Sequence, residues 1–434
     1  MAKRLVRPFL ALVLTGLFAT PVWAQHRVTT PQEQFGFQIG ADYELINYDQ
    51  LHAYFIKLAN ESDRMILDTI GYTEEGRPQI QAIISSPENL RNLDHYKEIA
   101  RRLARAEGVD AAEAKRLSQE GKAVVWIDGG LHATEVLGAH QLTELVYRMN
   151  DYTDPETMRI LNDVILLATQ VNPDGQQLVS NWYMREPDSL KRSTSDIPVL
   201  YNKYAGHDNN RDFYMAALEE TTNINRSMYR DWYPQIVYNH HQTGPAGAIM
   251  FAPPFRDPFN HFLDPLVIMG IDQVGSALHQ RMVLEGKGGT TMRSGANYST
   301  WWNGGLRTMP YFHNMIGLLT ETIGNPTPQS VPFIPRQQYP HGDLPLPVEP
   351  TATWHFRQSI EYSETANWAV LDYASRNRDH LLYNIWEMGN RAIRLGNQEH
   401  WTVKPSEIDH AAEEVQRGDQ IGRASCRERV YVLV

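Results

Sequence analysis

Cysteine is almost absent from this 434-residue chain, whose single copy is Cys426. That excludes a disulfide framework, and its place in a C-terminal stretch of atypical pattern gives no ground for thiol chemistry. Long apolar runs are equally scarce. Beyond an N-terminal leader, no segment is long and apolar enough to cross a bilayer, so no membrane span is expected in the body of the protein. Positive charge is in deficit. Lys and Arg number 40 against 51 Asp and Glu, a formal balance of −11. Both ends of the chain are basic, so the body between them is more acidic still, which argues against nucleic acid as a partner. Internal repeats are missing. What remains is a chain that is 42% hydrophobic, enough for one large α/β domain with extras or for two domains.

The two ends call for separate treatment. Lys3, Arg4 and Arg7 precede an apolar run over residues 9–18, followed by Val22-Trp23-Ala24. This is the pattern of a secretory signal peptide, residues 1–24, with cleavage expected after Ala24 and export to the periplasm or the extracellular space. At the other end, IGRASCRERV does not continue the amphipathic pattern before it. Residues 421–434 are expected to be a non-native tail on a reading frame truncated past about Asp419. Residues 401–420 then begin a truncated C-terminal region, and residues 25–400 form the functional domain.

One stretch organises the rest: AVVWIDGGLHATEVLG, from Ala123 to Gly138. Its apolar, β-branched start predicts a buried strand, which Asp128, Gly129 and Gly130 break. His132 and Glu135 follow, three apart, before a helical pattern over 136–149. A His and a carboxylate so spaced can both turn toward one point beyond the strand's end, and both are natural zinc ligands.

Other segments repeat the theme. The spacing predicts a helix over 43–62, strands over 65–72 and 79–85, and a helix over 93–121. An apolar strand at 164–170 is closed by the turn signal Asn172-Pro173-Asp174-Gly175. A long polar connection spans 176–207. Strands are predicted at 234–238, 247–254 and 316–320, helices at 263–285 and 353–394, and a Pro-rich surface loop at 325–350. Strands alternating with helices indicate an α/β protein, a three-layer α/β/α sandwich on a mixed, mostly parallel sheet. His132, Asn172, His241 and Glu321 each follow an apolar strand. Sites in such sheets lie at the carboxyl ends of strands, so four positions point to one edge.

VVWIDGGLHATE, NPDG, HDNNRDF, NHHQ and LLTET, in this order and spacing, resemble the zinc carboxypeptidase family. The resemblance runs from about Tyr43 to Asn325. It implies one zinc per chain, held by two His and one Glu. His132 and Glu135 match the first two ligands. In Asn239-His240-His241-Gln242 neighbouring strand residues face opposite ways, so one histidine alone can point at the metal. The family's pattern of an acidic or amide residue, any residue, then the ligand selects His241.

By the same resemblance Glu321 is the general base, and Asp208 is a carboxylate that orients His132. Asn210 and Arg211 match a clamp for the substrate's free C-terminal carboxylate, a task for which the planar guanidinium fork is suited. Arg185 matches the arginine that polarises the scissile carbonyl, with Arg192 as competitor. Tyr298 matches a mobile aromatic that closes over substrate, one residue out of register. Arg307 lies in the region of the specificity pocket, where it either favours an acidic side chain or forms a local salt bridge. Thr134 stands where related enzymes carry a substrate-binding Arg. The expected function is that of a zinc metallocarboxypeptidase acting on peptides with a free C-terminal carboxylate. Alternatives are an amidase of cell-wall peptides on the same fold and a catalytically silent peptide-binding module.

Overall fold

The computed structural model describes residues 28–335 and 338–398. The expected signal peptide and everything assigned to 401–434 lie outside the described residues. The chain opens with a short helix α1 (Pro31–Phe35), then α2 (Tyr48–Glu61), which buries Leu51, Tyr54, Phe55 and Leu58 at helical spacing. Strands β1 (Met65–Tyr72) and β2 (Pro78–Ile84) pair antiparallel. Helices α3 (Pro87–Arg91), α4 (Leu93–Arg105) and α5 (Ala111–Glu120) follow. The single helix predicted over 93–121 is therefore broken. Ala106 ends α4 in the left-handed region at φ 58°, and the Asp110 side chain caps the start of α5.

The central strand β3 (Ala123–Asp128) leads into α6 (Leu137–Asp151), α7 (Pro155–Asp163) and β4 (Val164–Thr169). Then come α8 (Pro173–Met184), α9 (Glu219–Arg226), β5 (Ile236–His241) and β6 (Met250–Phe255). Helix α10 (Pro265–Leu284), β7 (Thr290–Arg293) and β8 (Ile316–Thr322) complete the main sheet. A small antiparallel pair, β9 (Gln329–Val331) and β10 (Thr351–Trp354), joins the Pro-rich loop to the residues just after it, so the helix expected from 353 begins at Phe356. Helices α11 (Phe356–Arg376) and α12 (Arg378–Gly396) divide the last predicted helix at Asn377.

The eight strands run in the order β1-β2-β4-β3-β5-β8-β6-β7. The four central strands β4, β3, β5 and β8 are mutually parallel, as is the pair β6–β7; the pairs β1–β2, β2–β4 and β6–β8 are antiparallel. The period-2 alternation of β3 shows why there are three layers. Ala123, Val125 and Ile127 enter one hydrophobic cluster, while Val124 and Trp126 enter another on the opposite face. Helices α2, α6, α10 and α11 cover the first face, and α4, α5, α9 and α12 the second. Among the described residues, no helix is long and apolar enough to cross a membrane.

Candidate metal centre

The parallel strands β3, β5 and β8 end together, and their register builds the site. His241 stands directly opposite Glu321, and Asn239 opposite Leu319. After β3 the chain must turn sharply to bring His132 to the same edge. Gly130 makes that turn at φ 76°, and Gly138 lets the start of α6 approach Gly129, where a Cβ would lie 2.3 Å from the carbonyl oxygen. The carbonyl of Leu131 accepts two side-chain amides, from Asn172 (2.8 Å) and Asn209 (2.7 Å). The residue before His132 is thus pinned from two sides.

His132, Glu135 and His241 come together, with one donor atom from each within 4.8 Å of the others. His132 Nδ1 lies 2.8 Å from Glu135 Oε1, and His241 Nδ1 lies 3.0 Å from Glu135 Oε2. Two imidazole nitrogens and a carboxylate converging on one point are a donor set that suits zinc and leaves a further position open. The outer nitrogens are partnered too. His132 Nε2 lies 3.1 Å from Asp208 Oδ1, and His241 Nε2 lies 2.7 Å from Asn239 Oδ1. The backbone N–H of Gln242 donates to Glu135 Oε2 at 3.0 Å.

The electrostatics follow from these pairings. Burial works against a charged His132, but its hydrogen bonds to the Asp208 and Glu135 carboxylates outweigh it and push the ring up to about 10. The His132 hydrogen bond draws Asp208 down to about 2. Burial alone would raise Glu135, yet the two histidines hold it well below the usual carboxylate range. Glu321 differs from these. It is 7% exposed, accepts a hydrogen bond from the Thr243 backbone at 2.8 Å, and is raised by burial and by the nearby Glu135 charge against the pull of His241.

The structure brings other expected residues to this edge. Asn210 Nδ2 lies 3.3 Å from His241 Nε2, and Asn210 Oδ1 accepts from the Leu306 N–H at 2.9 Å. Arg211 sits beside it with its guanidinium 5.0 Å above the ring of Trp302, bonded to the Asn210 carbonyl, its side chain 54% exposed. Burial and the neighbouring Glu321 carboxylate push the Tyr298 phenol upward. Arg307 is 9% exposed, donating to the Tyr311 hydroxyl (2.7 Å) and the Ser299 carbonyl (2.8 Å), with its guanidinium 4.3 Å from the centre of the Phe255 ring. No carboxylate among the described residues forms an ion pair with it, so the local salt bridge allowed by the sequence is not made.

The two candidate arginines are held by other contacts. Residues 173–184 are helical rather than a loose connection, so Arg185 emerges just past the end of α8 and stacks on Trp182, three residues back, at 3.2 Å. No hydrogen bond or ion pair ties it to His132, Glu135, His241 or Glu321. Its competitor Arg192 is engaged elsewhere, with the Tyr43 carbonyl (2.6 Å), the Glu186 carbonyl (2.9 Å) and Glu44 (3.6 Å). Neither arginine is held at the centre. His240, the rejected ligand, is buried on the opposite face, 2.9 Å from Asn367 Oδ1. Sequence reasoning passed over Trp302 and used Asn239 only as a spacing mark; the amide two residues before a ligand was the available signal.

Among solved structures the chain resembles a metallo-carboxypeptidase from Burkholderia cenocepacia, at 14% identity over 74% of this chain and 67% of that one, with a TM-score of 0.47. Bovine thrombin-activatable fibrinolysis inhibitor, solved with tick carboxypeptidase inhibitor, is 13% identical over 77% of this chain and 99% of that one, with a TM-score of 0.49. A metallo-carboxypeptidase from Pseudomonas aeruginosa, solved with (2-guanidinoethylmercapto)succinic acid, is 16% identical over 76% and 68%, with a TM-score of 0.46. A search of curated proteins found no match. The sequence profile of the zinc carboxypeptidases matches residues 51–303, more than half of the chain. With the sheet, the His-Glu-His convergence and this match in hand, the chain belongs to the zinc carboxypeptidase family.

Proposed function

We propose that this protein is an exported zinc carboxypeptidase that removes the C-terminal residue of peptides, with Glu321 as its general base. One observation carries the reading. A buried carboxylate, Glu321, stands opposite His241 across two parallel strands, at the edge where His132 and Glu135 converge with His241. His132, Glu135 and His241 would hold the metal. Zinc, when bound there, supplies a Lewis acid that polarises the scissile carbonyl and makes water a stronger acid. Glu321 takes the proton of the attacking water and returns it to the departing amine, and the Thr243 N–H keeps its carboxylate aimed. Asp208 fixes the orientation of His132.

Asn210 and Arg211 receive the substrate's free carboxylate, and Tyr298 covers the bound residue next to Glu321. Arg307 favours a terminal Asp or Glu. A buried guanidinium with no carboxylate partner is costly, and an acidic substrate side chain would supply the missing charge. Export rests on the leader, residues 1–24.

The test is metal analysis followed by hydrolysis of matched peptides with free and amidated C-termini and with Glu or Leu as the last residue. Because Arg211 is more than half exposed, R211A should lower kcat/KM on free-carboxylate peptides by roughly 10- to 100-fold. Amidated peptides should change little. R307Q should erase a preference for terminal Glu. Equal losses on free and amidated peptides would make Arg211 structural and replace the carboxypeptidase reading with an amidase one.

A further inference from the structure

The third ligand of the centre has a partner that neither the family match nor the comparisons address. We infer that Asn239 is the positioning residue for His241, and that the buried carboxylate of Asp128 dictates which way its amide points. The inference rests on the metal-centre reading above and extends it to the residues behind the centre.

His241 turns Nδ1 toward Glu135, so an imidazole that gives the Nδ1 lone pair to a metal must carry its proton on Nε2. A protonated Nε2 needs an acceptor. Two amides lie near it: Asn239 Oδ1 at 2.7 Å and Asn210 Nδ2 at 3.3 Å. Asn210 cannot accept there, because its own Oδ1 is occupied by the Leu306 N–H. Asn239 is therefore the acceptor, provided its oxygen faces the ring.

Asp128 supplies that condition. Its Oδ2 accepts from Asn239 Nδ2 at 2.9 Å, and its Oδ1 accepts from the backbone N–H of Gly130 (2.9 Å) and of His240 (3.0 Å). An ionised carboxylate only accepts. A flipped Asn239 would set oxygen against carboxylate on one side and NH₂ against N–H on the other, losing both bonds. Asp128 and Asn239 are each 0% exposed, so no solvent would compensate. The same carboxylate ties the turn that delivers His132 to the strand that carries His241. One side chain thus sets both the polarity of a ligand's partner and the spacing of the two ligand-bearing segments. The two histidines are supported differently, His132 by a carboxylate that is 40% exposed and His241 by a neutral, wholly buried amide.

The experiment measures zinc dissociation constants of the full chain by competition with a chromophoric chelator. N239L, which keeps the volume and removes the acceptor, and D128N, which leaves NH₂ facing NH₂, should each weaken zinc by about 10- to 100-fold. The double variant D128N/N239D exchanges amide and carboxylate, keeps every hydrogen bond in the chain, and should recover most of that loss. Packing alone predicts no such recovery, so the exchange separates orientation from bulk. If N239L does not fold, judged by circular dichroism, D128N and the exchange still decide. A D128N variant within about twofold of wild type, or an exchange no better than D128N, overturns the inference. A wild type that binds zinc no tighter than H241A overturns the metal centre itself, which is a separate outcome.

Discussion

At the scale of single residues, neighbouring histidines on one strand offer a sharp contrast. His241 lies against Glu135, whereas His240 is buried against Asn367 and the Tyr238 ring on the far face. H132A and H241A should each strip zinc to a small fraction of wild-type occupancy in elemental analysis, while H240A should keep it. Loss in H240A with retention in H241A would reverse the ligand assignment. E321Q keeps the shape and removes the proposed base. It should retain zinc yet lose turnover by roughly 10²- to 10⁴-fold, and near-normal kcat would remove Glu321 from the chemistry. His132, His241 and Glu321 stand out in the sequence because each lies at or just beyond the carboxyl end of an apolar run within a recognisable motif. The placing of Arg185 depends on where α8 ends and on its contact with Trp182, which sequence spacing does not reveal. Asp128 was read as a strand breaker because its three donors come from residues 2 to 112 positions away.

At the scale of elements, the strands were the legible part. Fully buried strands such as β3 and β4 read as continuous apolar runs, and both faces of the sheet are covered. Helix α8 escaped notice because its start signal resembles a turn. Asn172-Pro173-Asp174-Gly175 reads as a turn, yet the Asn172 side chain accepts from the Gly175 N–H at 2.8 Å and Pro173 occupies the first turn of a helix, so the motif launches α8. Helix α11 carries a further consequence. Glu364, buried between α11 and α6, is pushed up to about 8 by burial and by the charges of Glu144 and Glu361, against the pull of Arg148. Its folded-state value exceeds the unfolded one, so its contribution is fully present below about pH 4.5 and is lost as pH rises through 8. E364Q, which mimics the protonated form, should therefore gain stability over wild type as pH climbs from about 5 to 9, by an amount on the order of a few kcal/mol. Unfolding curves recorded across that range check it; parallel pH profiles would count against the assignment.

At the scale of the whole molecule, the core is large and apolar on both faces of the sheet. The residues flanking the first ligands, Leu131, Ala133 and Val136, are packed into its two clusters, so the ligand segment is held by hydrophobic burial. Chelation should accordingly lower the melting temperature while leaving a cooperative transition and an unchanged far-ultraviolet spectrum, because a ligand that binds only the folded state adds stability by mass action. Loss of cooperativity on chelation would mean that the fold depends on the metal. The converging donors also have a mechanical meaning. Glu135 and His241 are 106 residues apart in a chain whose single cysteine, Cys426, lies outside that interval. A bound ion would clip that interval into a closed loop. Stretched by its ends in an optical trap, the zinc-loaded protein should hide about 350–380 Å of contour length until the clip ruptures, and the chelated protein should release that length without a separate rupture.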